Sequence, residues 1–387
     1  MNFILFDGPT RNNLLPFTYT RPVSDIRIGI LTIKEKWEKV LGVTLTILTE
    51  EYLEEKFPMV EFEENIFIDA SILPTLELAE EIEFLSENQL LQKEDTIIAF
   101  YTSQSQEEVD FSTYEVIEYE KELLKIDSLT AIFSNNFKAI QLDFTSVTEG
   151  RFSAAISKTN NLIAVENIFV EEGAVLEFVT INASQGPVYI GKEALVMEGS
   201  LIRGPFSLGQ QSVVKMGTKI YGGTTIGPNC TVGGEVKNVV MFGNSNKGHE
   251  GYLGNSVVGE WCNLGADTNC SNMKNNHNNV KLWDFESEEY LDSGEQFCGA
   301  FIGDYSKIGI NTMLNTGTVI GVSANVFGSG FPKKYIPSFS WGAIENTTTY
   351  QLDKAKEAAE KMCELKKGIF TSLDGAILET VFEDSKK

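Results

Sequence analysis

Asp7-Gly8-Pro9-Thr10-Arg11 follows directly on an apolar run at residues 2–6. A strand that runs into a glycine-containing polar loop is where α/β folds commonly receive phosphates, because bare amide groups can face the ligand there. A plain β-turn is the other reading of the same five residues. Asp69 stands in the same relation to Asn65-Ile66-Phe67-Ile68, at the carboxyl end of an expected strand, where it serves either a site or its own loop as a cap. Two histidines occur: His249 in Lys247-Gly248-His249-Glu250-Gly251-Tyr252-Leu253-Gly254, and His277 in Asn275-Asn276-His277-Asn278-Asn279. An imidazole is the side chain best suited to take up a proton near neutral pH. The bland alternative is a solvated loop histidine, and His277 is read that way. The five cysteines (Cys230, Cys262, Cys270, Cys298, Cys363) form no CxxC pair. Odd and scattered, they read as reduced thiols of a cytosolic protein, not as a disulfide framework or a zinc site.

The elements that must carry these residues show in the hydrophobic spacing. Ile190, Val196, Ile202, Leu208, Val214, Ile220, Ile226 and Val232 fall on eight consecutive beats of six. Helices need a period near 3.6 and ordinary strands a period of 2. Six suits a chain that turns a corner every six residues and closes a coil in three sides. Small residues four places after several beats (Ala194, Ser200, Ser212, Thr218, Thr224) fit near the corners. The expected fold here is an all-β left-handed parallel β-helix of hexapeptide repeats. The beat breaks at a loop containing Asn244–Gly251, resumes at Val258 and Leu264, breaks again through residues 275–298, and returns at Ile302, Ile308, Leu314, Ile320 and Val326. Interruptions of a solenoid map to extruded loops, where function tends to sit. Residues 349–367 are amphipathic and read as a helical cap.

Before the repeats, apolar runs alternate with helical patterns. Strands are expected at Val43–Leu48, Ile66–Ile68, Thr96–Phe100 and Ala139–Phe144, with helices near Lys34–Leu41 and Leu76–Leu85. This pattern predicts a compact α/β domain with a mainly parallel, Rossmann-type sheet. The acidic stretch at 104–125, with Glu107, Glu108, Asp110, Glu115, Glu118, Glu120 and Glu122, reads as solvated surface. The expected domains are 1–155, 156–345 and a helical tail at 346–387.

Composition sets the outer limits. Hydrophobic content of 42% and charged content of 22% are those of a soluble globular protein. The net charge of −24 argues against a nucleic acid or an anionic membrane as partner. Small phosphorylated ligands need only a local positive site. The apolar opening is too short for a signal peptide or a membrane span, so a cytoplasmic protein is expected.

Beyond the first loop come Leu15-Pro16-Phe17-Thr18 and Arg21-Pro22. Together these resemble the opening of sugar-nucleotide pyrophosphorylases, a Gly-x-Gly-Thr-Arg loop followed by Leu-x-Pro-Leu-Thr and Lys-Pro. The resemblance implies that Gly8, Thr10, Arg11 and Arg21 bind a nucleoside triphosphate and that Asp69 holds Mg²⁺. Pro9 stands at the family's second Gly and Arg21 at its Lys. The stretch is about 150 residues long where the family usually exceeds 200, and the portion lost would shape the sugar side of the cleft.

The second stretch adds Val258-Gly259-Glu260-Trp261-Cys262-Asn263-Leu264-Gly265-Ala266-Asp267-Thr268, then Cys270-Ser271-Asn272, with Gly234-Glu235-Val236-Lys237 upstream. This resembles the acetyltransferase half of the bifunctional N-acetylglucosamine-1-phosphate uridyltransferase/glucosamine-1-phosphate acetyltransferase family. The resemblance implies that His249 is the base that deprotonates a sugar amine and that Asn272 positions it. It further implies that Lys237 grips the sugar phosphate, that Lys219 contacts phosphate or uridyl groups, that Tyr252 and Asn263 contact the sugar, and that Ala266 lies near acetyl-CoA. Asn255, Asp267 and Met273-Lys274 depart from the family pattern, which bears on substrate identity. The function expected is a transferase of sugar-nucleotide metabolism, N-acetylating an amino-sugar phosphate, transferring a nucleotidyl group to a sugar 1-phosphate, or both. A homotrimer is implied, with sugar phosphate, acetyl-CoA and nucleoside triphosphate as partners. The rival readings are nucleotidyl transfer alone, with the β-helix as scaffold, and a non-catalytic sugar-nucleotide-binding trimer.

Overall fold

A computed structural model describes residues 2–105, 109–342 and 347–386; Glu107 and Glu108 lie outside the described residues. The chain divides into two compact units, each built of more than one segment. Unit 1 comprises residues 1–14, 21–26 and 31–128, and unit 2 comprises 15–20, 27–30 and 129–387.

Unit 1 is a six-stranded sheet flanked by short helices. Its elements are β1 (Asn2–Phe6), α1 (Ile33–Leu41), β2 (Thr46–Leu48), α2 (Glu51–Glu54), β3 (Asn65–Asp69), α3 (Leu76–Glu83), β4 (Gln89–Lys93), β5 (Thr96–Thr102) and β6 (Glu115–Glu118), with strand order β2-β1-β3-β5-β4-β6. β1 is parallel to β2 and β3, and β4 to β6, but β5 is antiparallel to both its neighbours. The sheet is therefore mixed, because the tight connection from Lys93 to Thr96 closes a hairpin and a hairpin reverses the strand. Ile4, Phe67, Leu90, Phe100 and Tyr114 pack together, with Phe67 and Phe100 stacked 4.9 Å apart. Helix α1 starts at a capping box between Thr32 and Glu35 and stops at Gly42 in the left-handed conformation.

Unit 2 is the parallel β-helix that the six-residue beat predicts. Each coil has three sides, as in the strands Leu201–Arg203, Phe206–Leu208 and Val213–Val214. Successive coils pair in register, Val188, Phe206 and Thr224 on one side and Val196, Val214 and Val232 on another. All eight aliphatic beats are buried in one continuous core. The small corner residues are buried too, and their hydroxyls satisfy backbone carbonyls: Ser212 donates to Gly227, Thr218 to Lys215 and Thr224 to Tyr221. That explains why hydroxyl residues recur at this place in the repeat.

Two readings of the sequence change here. Ala139–Phe144 is not a strand but part of α5 (Asn136–Thr148), which follows α4 (Leu129–Ser134). Its buried residues Asn136, Ala139, Ile140, Asp143 and Val147 repeat at helical spacing, which the short apolar run concealed. Asn136 accepts from Gly29 N and Asp143 from Ile30 N, so α5 holds the segment 27–30 within unit 2. The stretch Asn244–Gly251 is not an extruded loop either. Met241, Lys247 and Leu253 carry a beat of six through it, three residues out of phase with the run that ends at Val232, and Lys247 pairs with Val232. The true excursion comes later, carrying the hairpin Lys281–Asp284/Glu289–Asp292, whose second strand is exposed. The chain ends in two helices, α6 (Leu352–Leu365) and α7 (Ser372–Asp384). No helix among the described residues is long and apolar enough to cross a membrane.

Candidate functional site

In unit 1 the expected ligands gather at the carboxyl ends of β1 and β3, where Phe6 and Asp69 stand side by side in the ladder. Gly8 leaves space in front of Asp69, since a Cβ there would lie 3.6 Å from Asp69 Oδ2. Residues 9–14 form a 3₁₀ helix that buries Arg11. The Arg11 guanidinium donates to the Tyr52 hydroxyl at 2.8 Å and stands 3.5 Å from Asp7 and 3.6 Å from Glu50. Asp7 accepts from Val23 N and from the Thr49 hydroxyl. Burial pushes Asp7 up to about 6, despite those hydrogen bonds and the nearby Arg11. Asp69 accepts from the amide and hydroxyl of Ser71 and is paired with Lys125 at 3.3 Å. Thr10 Oγ1 is buried with no hydrogen-bond partner. Arg21 is buried as well.

The candidate residues of unit 2 fall on two faces that share one edge. Lys219, Glu235 and Tyr252 are cross-strand neighbours on the first face, and Tyr221, Lys237 and Gly254 form the next row. Lys219 and Lys237 are exposed. Asn272 Nδ2 donates to the Tyr252 hydroxyl at 3.0 Å and to Asn255 Oδ1 at 2.8 Å. Both amide hydrogens of Asn272 are thus used, and its oxygen and the Tyr252 O–H proton are what this pair can offer a ligand. Burial and the charge of Glu235 push the Tyr252 phenol up, so it stays a donor.

His249 sits at the edge itself, in the turn between Lys247 of the third side and Tyr252 of the first. It is exposed and lines an open cleft of about 500 Å³ together with Lys215, Asn246, Asn263, Ala266 and Ile310. The structure therefore brings His249, Asn263 and Ala266 into one cleft. It pairs Tyr252 with Asn272, and sets Lys219 and Lys237 on the adjoining face. His277 lies exposed in the excursion. The five cysteines are free and buried, and burial raises every thiol that shifts, Cys230 and Cys270 to about 12. No cluster of three or more metal-ligating side chains occurs among the described residues.

Three contributors escaped the sequence reading. Asn246 lines the cleft, and Lys366 at the end of α6 donates to Asn246 Oδ1 and Asn229 O, both at 2.7 Å. No local pattern announces that contact across more than a hundred residues. Lys247 was findable, because it lies six residues from both Met241 and Leu253.

Residues 3–152 match the family model described as sugar nucleotidyl transferase. Over this segment the chain is similar to the sugar nucleotidyl transferases. Over 93 residues the chain is 34% identical to a bifunctional sugar-1-phosphate nucleotidylyltransferase/acetyltransferase of Sulfurisphaera tokodaii, covering 24% of this chain and 23% of that one. Over 87 residues it is 34% identical to the bifunctional protein GlmU of Methanococcus aeolicus, covering 22% and 20%. The chain thus spans less than a quarter of the length of these curated relatives. The crystal structure of the polySia specific acetyltransferase NeuO aligns at 17% identity over 53% of this chain and 84% of that chain, with a TM-score of 0.19, too low to bear on fold or function.

Proposed function

We propose that the protein is a transferase of sugar-nucleotide metabolism that N-acetylates an amino-sugar phosphate at the His249 cleft. The observation that carries this reading is the placement of His249, Asn263 and Ala266 in one open cleft, with the Tyr252–Asn272 pair and two lysines on the adjoining face. His249 takes a proton from the sugar amine as the nitrogen attacks the thioester carbon of acetyl-CoA. The new C–N bond forms, the C–S bond breaks, and the coenzyme leaves as its thiol after taking up a proton. The Tyr252 hydroxyl and the Asn272 oxygen orient sugar hydroxyls, and Lys219 and Lys237 hold the phosphate by charge-assisted hydrogen bonds. Thiol release from acetyl-CoA in the presence of glucosamine 1-phosphate tests this. Failure across amino-sugar phosphates would move the preference to nucleotidyl transfer alone.

Nucleotidyl transfer at residues 1–155 is the second reading, favoured by the family match over 3–152. The residues fit Mg²⁺ as one carboxylate of a site completed by substrate phosphates and water, the usual manner for this ion. Asp69 would hold it in the space that Gly8 leaves open, in exchange for the ion pair with Lys125. Bound there, the ion would neutralise phosphate charge. The unpartnered Thr10 hydroxyl and the cations Arg11 and Arg21 would bind and orient the triphosphate. A homotrimer in the cytoplasm completes the proposal, motivated by the unbroken beat of six from Ile190 to Val232. A light-scattering mass equal to the 42.9 kDa chain would refute the trimer.

A further inference from the structure

Lys247 occupies a position that the repeat reserves for aliphatic side chains. It stacks on Val232 in register, lies one beat from Met241 and from Leu253, and is 1% exposed. An ammonium group in such a place is costly to desolvate. Burial pulls Lys247 down to about 8, against partial support from Glu250 and Asp267. Valine or leucine would complete the core without that cost.

What lysine does here and an aliphatic residue cannot is donate. Its Nζ lies 2.7 Å from the carbonyl oxygen of His249 and 3.4 Å from that of Glu250. Both carbonyls belong to the turn that carries the imidazole. The same turn is pressed from the preceding coil, where Gly234 has φ +78° and a Cβ would come within 3.0 Å of His249 O and 3.1 Å of Glu250 Cα. From the following coil, Asp267 N donates to Glu250 O at 3.1 Å. The His249–Glu250 peptide is trans and planar, so holding its oxygen from inside directs its N–H outward and fixes the plane. With that plane held, the torsion ψ of His249 is what remains to turn its side chain relative to the peptide.

We propose that Lys247 is a positioning residue, whose ammonium, seated inside the β-helix, holds the His249 turn in the orientation that presents the imidazole to the cleft. The proposal rests on His249 as proton acceptor for acyl transfer, and it reaches beyond that reading by assigning the determinant of its geometry.

Lys247→Met removes the donor and restores an apolar beat, so the fold should keep its melting temperature or gain. With two histidines in the chain, both imidazoles can be followed by NMR, and His249→Gln assigns the signals. In Lys247→Met the His249 ring signal should move and broaden while that of His277 stays. The kcat for acyl transfer should fall roughly ten- to hundredfold, the range for a misplaced catalytic group. KM for both substrates should stay within about twofold. Lys247→Gln, which keeps a donor, should recover most of both readouts. Lys247→Val, matching Val232 on the stack, serves as the donor-less variant should Lys247→Met fail to fold. An unchanged His249 signal in the donor-less protein overturns the proposal, and so does equal damage in Lys247→Gln. A wild type without acyl transfer would sink the function given to His249, and the NMR signals would still decide the role of Lys247.

Discussion

The charged side chains at the ends of β1 and β3 are engaged with one another, whereas at the His249 turn the main chain is held and the imidazole is exposed. Arg11 is buried among Asp7, Glu50 and Tyr52, and Asp69 is held by Ser71 and Lys125. A ligand entering there must replace existing partners with its own charges. At the turn, side-chain and backbone roles are separated. Lys247, the neighbouring glycine and Asp267 hold the main chain, and the exposed imidazole faces an open cleft. Pre-set geometry with an uncommitted side chain suits proton transfer. A network of mutually paired charges suits binding of a polyanion with its cation, where one set of ion pairs is exchanged for another.

The largest effect that tests this contrast is on turnover. His249→Ala should lower kcat for acyl transfer by roughly 10²–10⁴-fold, the range for loss of a positioned general base. KM for acetyl-CoA should hardly move, because the base touches the amine and not the donor. Stability should hardly change, since surface substitutions usually stay within about 0.5 kcal/mol. A correctly folded His249→Ala protein with full turnover would break the contrast at its catalytic end.

Next in size is a pH effect confined to the paired network. Asp7 keeps its proton up to about 6 in the folded chain, against 3.8 for the unperturbed group. The folded state therefore holds the proton more tightly, and this stabilisation is complete below pH 3.8 and lost as pH rises through about 6. The difference corresponds to about 3 kcal/mol. Asp7→Asn, which keeps an acceptor for Val23, should remove that decline, so the variant gains on the wild type between pH 4 and pH 6. Urea titrations of both proteins across this range would show it, and parallel curves would mean that Asp7 is ionised throughout.

The smallest effect expected is on ligand affinity. Asp69→Asn should weaken Mg²⁺-dependent binding of UTP or dTTP by roughly ten- to hundredfold, as for one lost charged contact. It should leave acyl transfer at the His249 cleft untouched. Calorimetry that finds equal affinity in variant and wild type would remove Asp69 from the proposed metal site.

What the sequence revealed depends on how local each signal is. The beat from Ile190 to Val232 is a repeated packing rule, so eight residues state the same fact and the coil follows. Gly8 and Asp69 were visible because each closes an apolar strand, and strand ends are local. Ala139–Phe144 failed because six residues are too few to separate a buried strand from one face of α5. Lys247 was passed over because the phase slips by three after Val232, so that six-residue steps land on Asn238, Asn244 and Glu250 and not on Lys247. The pairing of Asp69 with Lys125 and the reach of Lys366 to Asn246 have no sequence signal, since nothing local records which distant side chains meet.

Val196 pairs with Val214, and Val214 with Val232, eighteen residues apart each time, whereas Val232 pairs with Lys247 only fifteen residues on. The register of the sides is therefore kept while the length of a coil varies. A segment inserted into a side shifts the residues after it off their stack unless a later corner absorbs the difference. A segment inserted at a corner can be of any size, provided that it returns where it left. The chain contains such a case: Cys270 pairs in register with Leu314, although the long excursion lies between them. Corners are thus where this architecture can acquire new parts without renegotiating the old ones, and His249 is carried on a corner.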